Sequence, residues 1–251
     1  MEKVLLRERF DDVERLILNR PSHENMINDE MRGELINAFS EIATDPEVRV
    51  VVITGSGGIF SRSADGGEMG DKYMRSPERY RSVLWNVRNV ALMMRSLPKP
   101  IIAAVNGLAT MGGFELALAC DFIVASSTAT LGDAHPSGVG GGGGSQRLLE
   151  RVGPAMTRWL LYTQEVLTAQ RAYDIGIVQA IYDASDFDDS VLNLAHDIAS
   201  KRIDRSLERI KALTASHDPS LVGLNLEIEH SIEHWLSPEA TALRARWALG
   251  E

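Results

Sequence analysis

Two runs of branched and small apolar residues limit the folds open to this chain more than any other feature of its sequence. They are "VRVVVITGSG" (48–57) and "KPIIAAVNG" (99–107), and both end in glycine. A strand with one wet face would alternate polar and apolar residues, so continuous runs indicate strands that are buried on both faces. Parallel strands need a long crossover between them, and a helical pattern at about 76–97 supplies one. We therefore predict an α/β chain with buried, parallel-type strands.

The alternation of strands and helices continues to about residue 185. Further strands are predicted at 13–21, ending at Pro21, at 121–127 and at 177–183. Further helices are predicted at 28–45, with Asn28 or Asp29 as N-cap, at 114–120, near 145 or 146 onward, at 155–164, and from 168 to Gly176. Beyond residue 185 the pattern is wholly helical, at 186–203, 203–217 and 225–249. These helices carry apolar faces of their own, so we expect them to pack on the core or on another subunit.

Composition and charge exclude several classes of protein. The net charge of −9 over 251 residues argues against nucleic acid as a partner, since a phosphate backbone needs clustered Lys and Arg. The single cysteine, Cys120, lies among Leu and Ala; we interpret it as a core residue, and it fits a reducing compartment. The amino terminus has no signal-peptide pattern and no stretch has the length of a membrane span, so we expect a cytoplasmic protein that does not bind membranes.

In the segment "ATMGGFELALACD" (109–121), the carboxylate of Glu115 stands among residues that are otherwise small or apolar up to Asp121. Gly112 and Gly113 precede Glu115 where a strand and loop give way to a helix. The amide groups at the start of a helix lack partners, and a glycine lets a ligand approach them closely. They suit an oxygen that becomes negative during a reaction, with Glu115 beside it as acid or base. The alternative is a packed turn with Glu115 on the solvent face.

Two other segments are rich in glycine. "GIFSRSADGGEM" (58–69) is predicted to be an irregular loop in which the Ala64 N–H is available, or an ordinary surface loop. "LGDAHPSGVGGGGGSQRL" (131–148) contains five consecutive glycines before a helix, with Asp133 and His135 just upstream. It is either a mobile linker with a structural histidine or part of a site. The six histidines show no metal-ligand spacing, and "EIEHSIEHW" (227–235) is interpreted as an exposed helical face, so we expect no metal.

Together these segments resemble the crotonase, or enoyl-CoA hydratase/isomerase, superfamily. The similarity extends over nearly the whole chain and is most specific in the central block. It lies in "LNRP" (18–21), "VVITGSGGIFSRSADGGEM" (51–69), "KPIIAAVNGLATMGGFELALACDFIVAS" (99–126), "GGSQRLLERVG" (143–153), "LTAQRAYDIGIVQAI" (167–181) and "SPEATALRARWAL" (237–249). The resemblance implies a spiral of ββα repeats forming two stacked sheets at 1–190, and a C-terminal α-helical trimerisation region at 191–251. It also implies a homotrimer or homohexamer.

The resemblance further implies an enzyme, a lyase or isomerase, that acts on acyl-CoA thioesters. Coenzyme A enters as part of the substrate, and no other cofactor is implied. The thioester oxygen would lie between the N–H groups of Ala64 and Gly112, which stabilise an enolate, and Glu115 falls on the first of the two catalytic glutamates. Substrate contacts are assigned to Arg62, Ser63, Ala64, Asp65 and Gly112.

The chain departs from the hydratase pattern in three places. The second glutamate is missing: counting forward from "FIVASSTATLG" (122–132) places His135 there, and counting backward from "GGSQRL" places Asp133 there. We prefer His135, whose ordinary pKa of about 6.5 suits proton transfer. The glycine loop lacks the usual proline, which predicts a more mobile loop. Arg62 and Ser63 replace small residues, and Arg62 either pairs with a CoA phosphate or lies in water.

Two alternative functions stay open. One branch of the superfamily hydrolyses carbon–carbon bonds in cyclic β-diketones and uses a histidine in a loop similar to "HPSG" (135–138). In that branch the enolate is the leaving group and CoA is not required, but Glu115 argues against it. The other alternative is a catalytically weakened, crotonase-fold binding protein.

Overall fold

The computed structural model describes residues 3–67, 76–135, 140–200 and 206–215, together with Ile228, Ile232 and residues 241–242. The strands are β1 (Leu5–Phe10), β2 (Val13–Leu18), β3 (Val50–Gly55), β4 (Ile59–Ser61), β5 (Ile101–Val105), β6 (Leu108–Thr110), β7 (Phe122–Ser126), β8 (Thr130–Gly132), β9 (Leu167–Thr168) and β10 (Ala180–Tyr182). The helices are α1 (Asp29–Thr44), α2 (Pro77–Ser96), α3 (Met111–Ala119), α4 (Gly144–Thr163), α5 (Ala169–Asp174), α6 (Phe187–Ser200) and α7 (Ser206–Ala215).

The strands form two sheets, and from β3 to β8 successive strands alternate between them. The larger sheet has the order β1-β2-β3-β5-β7-β10, and the smaller has the order β4-β6-β8-β9. Neighbours are parallel except for the pairs β1/β2 and β8/β9. Each of β3, β5 and β7 is followed by a short strand of the smaller sheet, and α3 and α4 follow β6 and β8 in turn. The α/β class and the ββα repeats predicted from the sequence are therefore confirmed.

The larger sheet is buried on both faces, which is why its central strands are apolar without alternation. Every residue of β3 is buried. One face, including Ile53 and Ala103, shares a core with Phe60 and Leu131 of the smaller sheet. The opposite face packs against α6, and the side chains in this second core include Val50, Val52, Ile102, Val124, Phe187, Val191 and Ala195. Each buried Val or Ile contributes about 1.5–3 kcal/mol to folding.

The first part of the helical tail packs on this core. Residue 190, the division predicted from the sequence, lies inside α6, whose apolar face covers the larger sheet. Lys211 of α7 donates hydrogen bonds to the Met94 and Lys99 carbonyls at 2.8 and 3.0 Å. Of the helix predicted at 225–249, the structure describes only scattered residues, and Ile228 and Ile232 pack with side chains of α2. A trimerisation role for this region stays a prediction.

Local sequence signals explain where α1 begins. Asn28 is extended, and its Oδ1 accepts the Met31 N–H at 2.9 Å, so one of the two predicted N-cap candidates is confirmed. Asp29 and Glu30 lie in the first turn, where negative charge stabilises the amide end of a helix. Strand β2 ends at Leu18, earlier than the predicted end at Pro21, because a turn of 3₁₀ helix begins at Pro21.

Replacing Gly33 with alanine is expected to stabilise the fold. A Cβ at this position in α1 would meet no atom within 4 Å, and alanine is the better helix former. We expect Gly33→Ala to raise the free energy of unfolding by about 0.5–1 kcal/mol. Urea denaturation measures it, with Gly55→Ala as the contrast, because that Cβ would lie 1.9 Å from the Ile59 carbonyl oxygen. A less stable Gly33→Ala would contradict the helical assignment.

Candidate active site

The amino end of α3 lies against the loop that follows β4. Thr110, the N-cap position, does not cap the helix with its side chain; its Oγ1 donates to the Arg62 carbonyl at 3.0 Å instead. The first amides of α3 therefore have no intrahelical acceptor. A Cβ on Gly112 would lie 2.6 Å from the Ala64 nitrogen, so only a glycine allows this approach. Met111 has a φ of 47°, which is uncommon for a residue with a side chain and concentrates at functional sites.

The Ala64 amide faces the same space, because the backbone hydrogen bonds to Ile27 are made by its neighbours, Ser63 and Asp65, and not by Ala64. Ile27 donates its N–H to the Ser63 carbonyl and accepts the Asp65 N–H, both at 2.9 Å. In the parts of the chain that the structure describes, neither the Ala64 N–H nor that of Gly112 has a hydrogen-bond acceptor. The two amides predicted to hold a substrate oxygen are thus adjacent and available.

The other predicted substrate contacts brace this loop. Asp65 forms an ion pair with Arg20 at 3.0 Å, and the Ser63 hydroxyl donates to the Ala64 carbonyl at 2.6 Å. Arg62 pairs with Glu24 at 2.5 Å and has a half-exposed side chain. These bonds fix the backbone that presents the Ala64 N–H. Direct contact of Arg62, Ser63 or Asp65 with a substrate stays a prediction.

Glu115 lies buried, which excludes the solvent-face alternative. It is 6% exposed, and its Oε1 accepts the N–H groups of Gly142 and Gly144 at 3.0 and 3.2 Å. Burial raises the pKa of the Glu115 carboxyl above its ordinary value of 4.5; the nearby His135 opposes that rise and Asp133 adds to it. A raised pKa strengthens the carboxylate as a proton acceptor, which suits a catalytic acid or base.

The glycine run packs around Glu115. A Cβ at Gly140, Gly142 or Gly144 would come within 2.4, 2.8 and 2.7 Å of Glu115 atoms, and one at Gly141 would lie 2.3 Å from Leu84. These glycines therefore allow close approach, and the interpretation of the run as a linker is wrong. Higher mobility of the loop stays a prediction.

Asp133 and His135, the two residues that the sequence offers in place of the second glutamate, both lie at this site. The His135 Nδ1 is hydrogen-bonded to Asp133 Oδ1. The Cβ that Gly140 lacks would lie 2.6 Å from His135 Cε1 and 2.4 Å from Glu115 Oε1, so both side chains border the space beside Gly140. Both His135 and Asp133 are close enough to Glu115 to change the pKa of its carboxyl, and His135 also borders the space beside Gly140.

A cavity of about 50 Å³ opens beside these groups. Its lining combines Ala64, Gly112, Glu115 and Gly142 with apolar side chains, which include Ile27, Leu35, Val87, Val90, Ala91 and Leu116. Arg32 also lines the cavity, although the sequence analysis did not single it out. It is 5% exposed, donates to the Ile27 carbonyl at 3.2 Å and pairs with Asp29. Its position three residues before Leu35, on the core-facing side of α1, was the available signal.

The described residues provide neither a reactive thiol, nor a metal site, nor a helix that could span a membrane. Burial raises the pKa of the Cys120 thiol, so it stays protonated at neutral pH. Across residues 3–67, 76–135, 140–200 and 206–215, no group of three or more His, Cys, Asp or Glu side chains is placed to hold a metal ion. Over the same ranges, no helix has both the length and the apolar character needed to cross a bilayer.

Comparison with known proteins gives one consistent result. The sequence model described as enoyl-CoA hydratase/isomerase matches residues 9–234. Crotonyl-CoA hydratase of Syntrophomonas wolfei is 35% identical over 204 residues, covering 80% of this chain and 76% of that protein. Short-chain-enoyl-CoA hydratase of Clostridium acetobutylicum is 35% identical over 212 residues, covering 82% and 78%. A crystal structure of an enoyl-CoA hydratase/isomerase from Xanthobacter autotrophicus Py2 superposes with a TM-score of 0.87 at 28% identity, covering 96% and 91%.

Proposed function

This chain belongs to the enoyl-CoA hydratase/isomerase family of the crotonase superfamily, and from that premise we propose that it adds water to an α,β-unsaturated acyl-CoA thioester. The observation that carries the proposal is the pair of available amides, Ala64 and Gly112, beside the buried carboxyl of Glu115. Membership of the family makes the protein an enzyme of the hydratase/isomerase type. The choice of hydration over isomerisation rests on the presence of a second proton carrier, His135, next to Glu115.

The two amides would stabilise the charge that develops on the substrate. When water attacks the β-carbon of the enoyl group, the electron pair of the double bond moves onto the thioester oxygen and forms an enolate. Two N–H donors that are already in place cost no reorganisation, and one such donor contributes a factor of about 10²–10³ in rate. The start of α3 adds partial positive charge at Gly112.

Glu115 and His135 would carry the protons. The Glu115 carboxylate takes a proton from water as its oxygen bonds to the β-carbon, and the His135 imidazolium gives a proton to the α-carbon. The product is a 3-hydroxyacyl thioester, with Glu115 protonated and His135 neutral. One proton then passes from Glu115 to His135 through the space beside Gly140 that both side chains border, and restores the starting state. The step is redox-neutral and needs no metal.

The cavity offers the acyl chain an apolar surface. Its lining includes Val87, Val90 and Ala91 of α2. Two of the similar proteins are named for crotonyl-CoA and short-chain enoyl-CoA hydration. We therefore propose a short 2-enoyl-CoA as substrate, with coenzyme A as part of it, and a homotrimer or homohexamer as the assembly, measurable by light scattering.

The test is a hydration assay on the purified protein. Crotonyl-CoA loses the ultraviolet absorbance of its conjugated double bond when water adds, and mass spectrometry should show a gain of one water. Saturated butyryl-CoA is the control and should not change. A folded protein that turns over no enoyl-CoA of any chain length would refute the proposal.

One observation favours a second candidate function. The Asp133–His135 hydrogen bond is an arrangement that activates an imidazole as general base, as carbon–carbon bond hydrolysis of a cyclic β-diketone would require. Under that function His135→Ala abolishes hydrolysis of the diketone, and free CoA fails to compete with the substrate. Inhibition by CoA would favour the thioester instead.

A further inference from the structure

We propose that Asp133 is a positioning residue: it holds His135 by Nδ1 and so assigns proton exchange to Nε2 of the imidazole beside Glu115. The inference deepens the proposed function and rests on it, since it concerns how the second proton carrier of that reaction is oriented. It adds to the site a residue that never needs to touch the substrate.

Asp133 is built into a rigid part of the fold. It directly follows β8, which pairs with β6 on one side and with β9 on the other. Its side chain is 2% exposed, and Oδ1 is bonded to His135 Nδ1. Because the backbone before it is fixed by two neighbouring strands, the carboxyl is a firm anchor for an imidazole only two residues away.

The second oxygen of Asp133 argues against the alternative that this residue only stabilises the fold. Within the described part of the chain, Oδ2 is buried and forms no hydrogen bond. Burying a carboxylate is costly, and one kept for stability normally has both oxygens satisfied. The hydrogen bond that the structure does show is the one to His135. We therefore infer that Asp133 is buried there to orient the imidazole.

The bond determines which nitrogen of the ring does the chemistry. A carboxylate can only accept, so Nδ1 must carry the hydrogen, and the neutral ring is then the Nδ1–H tautomer. Nε2 is left as the proton acceptor and, in the imidazolium, as the donor. The same orientation places Cε1, which is bonded to both ring nitrogens, at the space beside Gly140 that the Glu115 carboxyl also borders.

The charges around the ring act in a definite direction. The carboxylates of Asp133 and of Glu115 on α3 favour the imidazolium, and Arg147 of α4 acts on the Glu115 carboxyl. Neutralising Asp133 removes one of the two stabilising charges. The pKa of His135 should therefore fall, and the protonated donor that the α-carbon needs becomes scarcer at neutral pH.

The first experiment is Asp133→Asn, which keeps the shape of the side chain and removes its charge. We expect kcat for enoyl-CoA hydration to fall at least about 100-fold with KM within about threefold, and the pH-profile limb of His135 to move at least about one unit lower. The matched control is Asp12→Asn, which breaks a solvent-accessible Asp–His pair, His196 Nδ1 to Asp12 Oδ1 at 3.1 Å, outside the site. An unchanged kcat and an unmoved limb in Asp133→Asn would overturn the proposal.

A double-variant cycle separates positioning from packing. If Asp133 acts through His135, Asp133→Asn should cost almost nothing further when His135→Gln is already present. A second loss of about tenfold on that background would show that Asp133 supports the site by packing, which contradicts the proposal.

A measurement on the unaltered protein keeps the inference testable if the variants fail to fold. Nitrogen NMR of histidine-labelled protein should show His135 as the Nδ1–H tautomer above its pKa; the Nε2–H tautomer would overturn the proposal. This readout needs no substrate. A protein without hydratase activity but with the Nδ1–H tautomer would therefore refute the proposed function and leave the Asp133–His135 orientation supported.

Discussion

Glu115→Gln is expected to lower kcat for enoyl-CoA hydration by about 10²–10⁴-fold, the usual contribution of a positioned acid or base. The amide oxygen of glutamine can still accept the Gly142 and Gly144 N–H groups, so the loop should keep its place. What is lost is the ability to take a proton from water. KM should change little, since the amides of Ala64 and Gly112 remain. Steady-state kinetics with crotonyl-CoA measures both constants.

The chain offers a matched control for this substitution. Glu14 on β2 is also 6% exposed, but it pairs with Arg7 at 2.7 Å and lies outside the cavity lining. Glu14→Gln removes a buried carboxylate of the same type, and it should leave kcat unchanged even where it lowers stability. Turnover that survives Glu115→Gln for every accepted thioester would remove Glu115 from the mechanism.

The same variant should also change how stability depends on pH. Burial raises the pKa of Glu115, so the folded chain binds this proton more tightly than the unfolded chain does. The group's contribution to the free energy of unfolding therefore falls as pH rises above its ordinary value of 4.5, until the raised pKa is passed. Glu115→Gln lacks this decline. Thermal melts from acid to neutral pH should show the variant gaining stability relative to the native protein, and a constant difference would contradict the raised pKa.

The long helices and strands could be predicted because each is long enough to show a pattern of apolar residues. The runs around β3 and β5 have no other plausible environment than a sheet covered on both faces. The resemblance implied a second sheet, but its strands were not identified from the residues, because β4, β6, β8 and β9 are two or three residues long and no periodicity develops over that length. Their positions follow from pairing between distant segments.

Helix α4 shows how a local signal can divide one element. The sequence predicts a helix from near 145 and another at 155–164, and the structure has a single element, Gly144–Thr163, with a kink. Gly153 has a φ of 73°, and Pro154 cannot donate a hydrogen bond to the preceding turn. The two predicted helices are the two halves of α4.

The part of the site that depends on short segments of sequence could be predicted. Gly112, Glu115 and Ala64 stand in short segments whose chemistry can be interpreted in place. The role of the glycine run could not be derived this way, because the atoms that exclude a Cβ from Gly140 belong to Glu115, far back in the chain. The spacing of Arg32 from Leu35 could have placed it on the core-facing side of α1, but its position in the cavity depends on how α1 packs.

Gly112→Ala is expected to reduce kcat/KM by about 10²–10³-fold, as much as the loss of one oxyanion donor. The added methyl group would lie 2.6 Å from the Ala64 nitrogen, in the space where the two amides converge. It therefore either occupies the position of the substrate oxygen or pushes the loop carrying Ala64 away. Alanine is a better helix former than glycine, so α3 itself should not be weakened by propensity.

The control for Gly112→Ala is Gly33→Ala, the same chemical change in a helix where the Cβ meets open space, and it should leave kcat/KM unaltered. The outcome also discriminates between parts of the mechanism. If Gly112→Ala stays active while Glu115→Gln does not, the reacting carbonyl cannot lie between the amides of Ala64 and Gly112. Glu115 would then serve a reaction whose negative charge develops elsewhere. The proposed mechanism holds the enolate at these two amides and uses Glu115 for proton transfer. It therefore requires that both variants fold and that both lose activity.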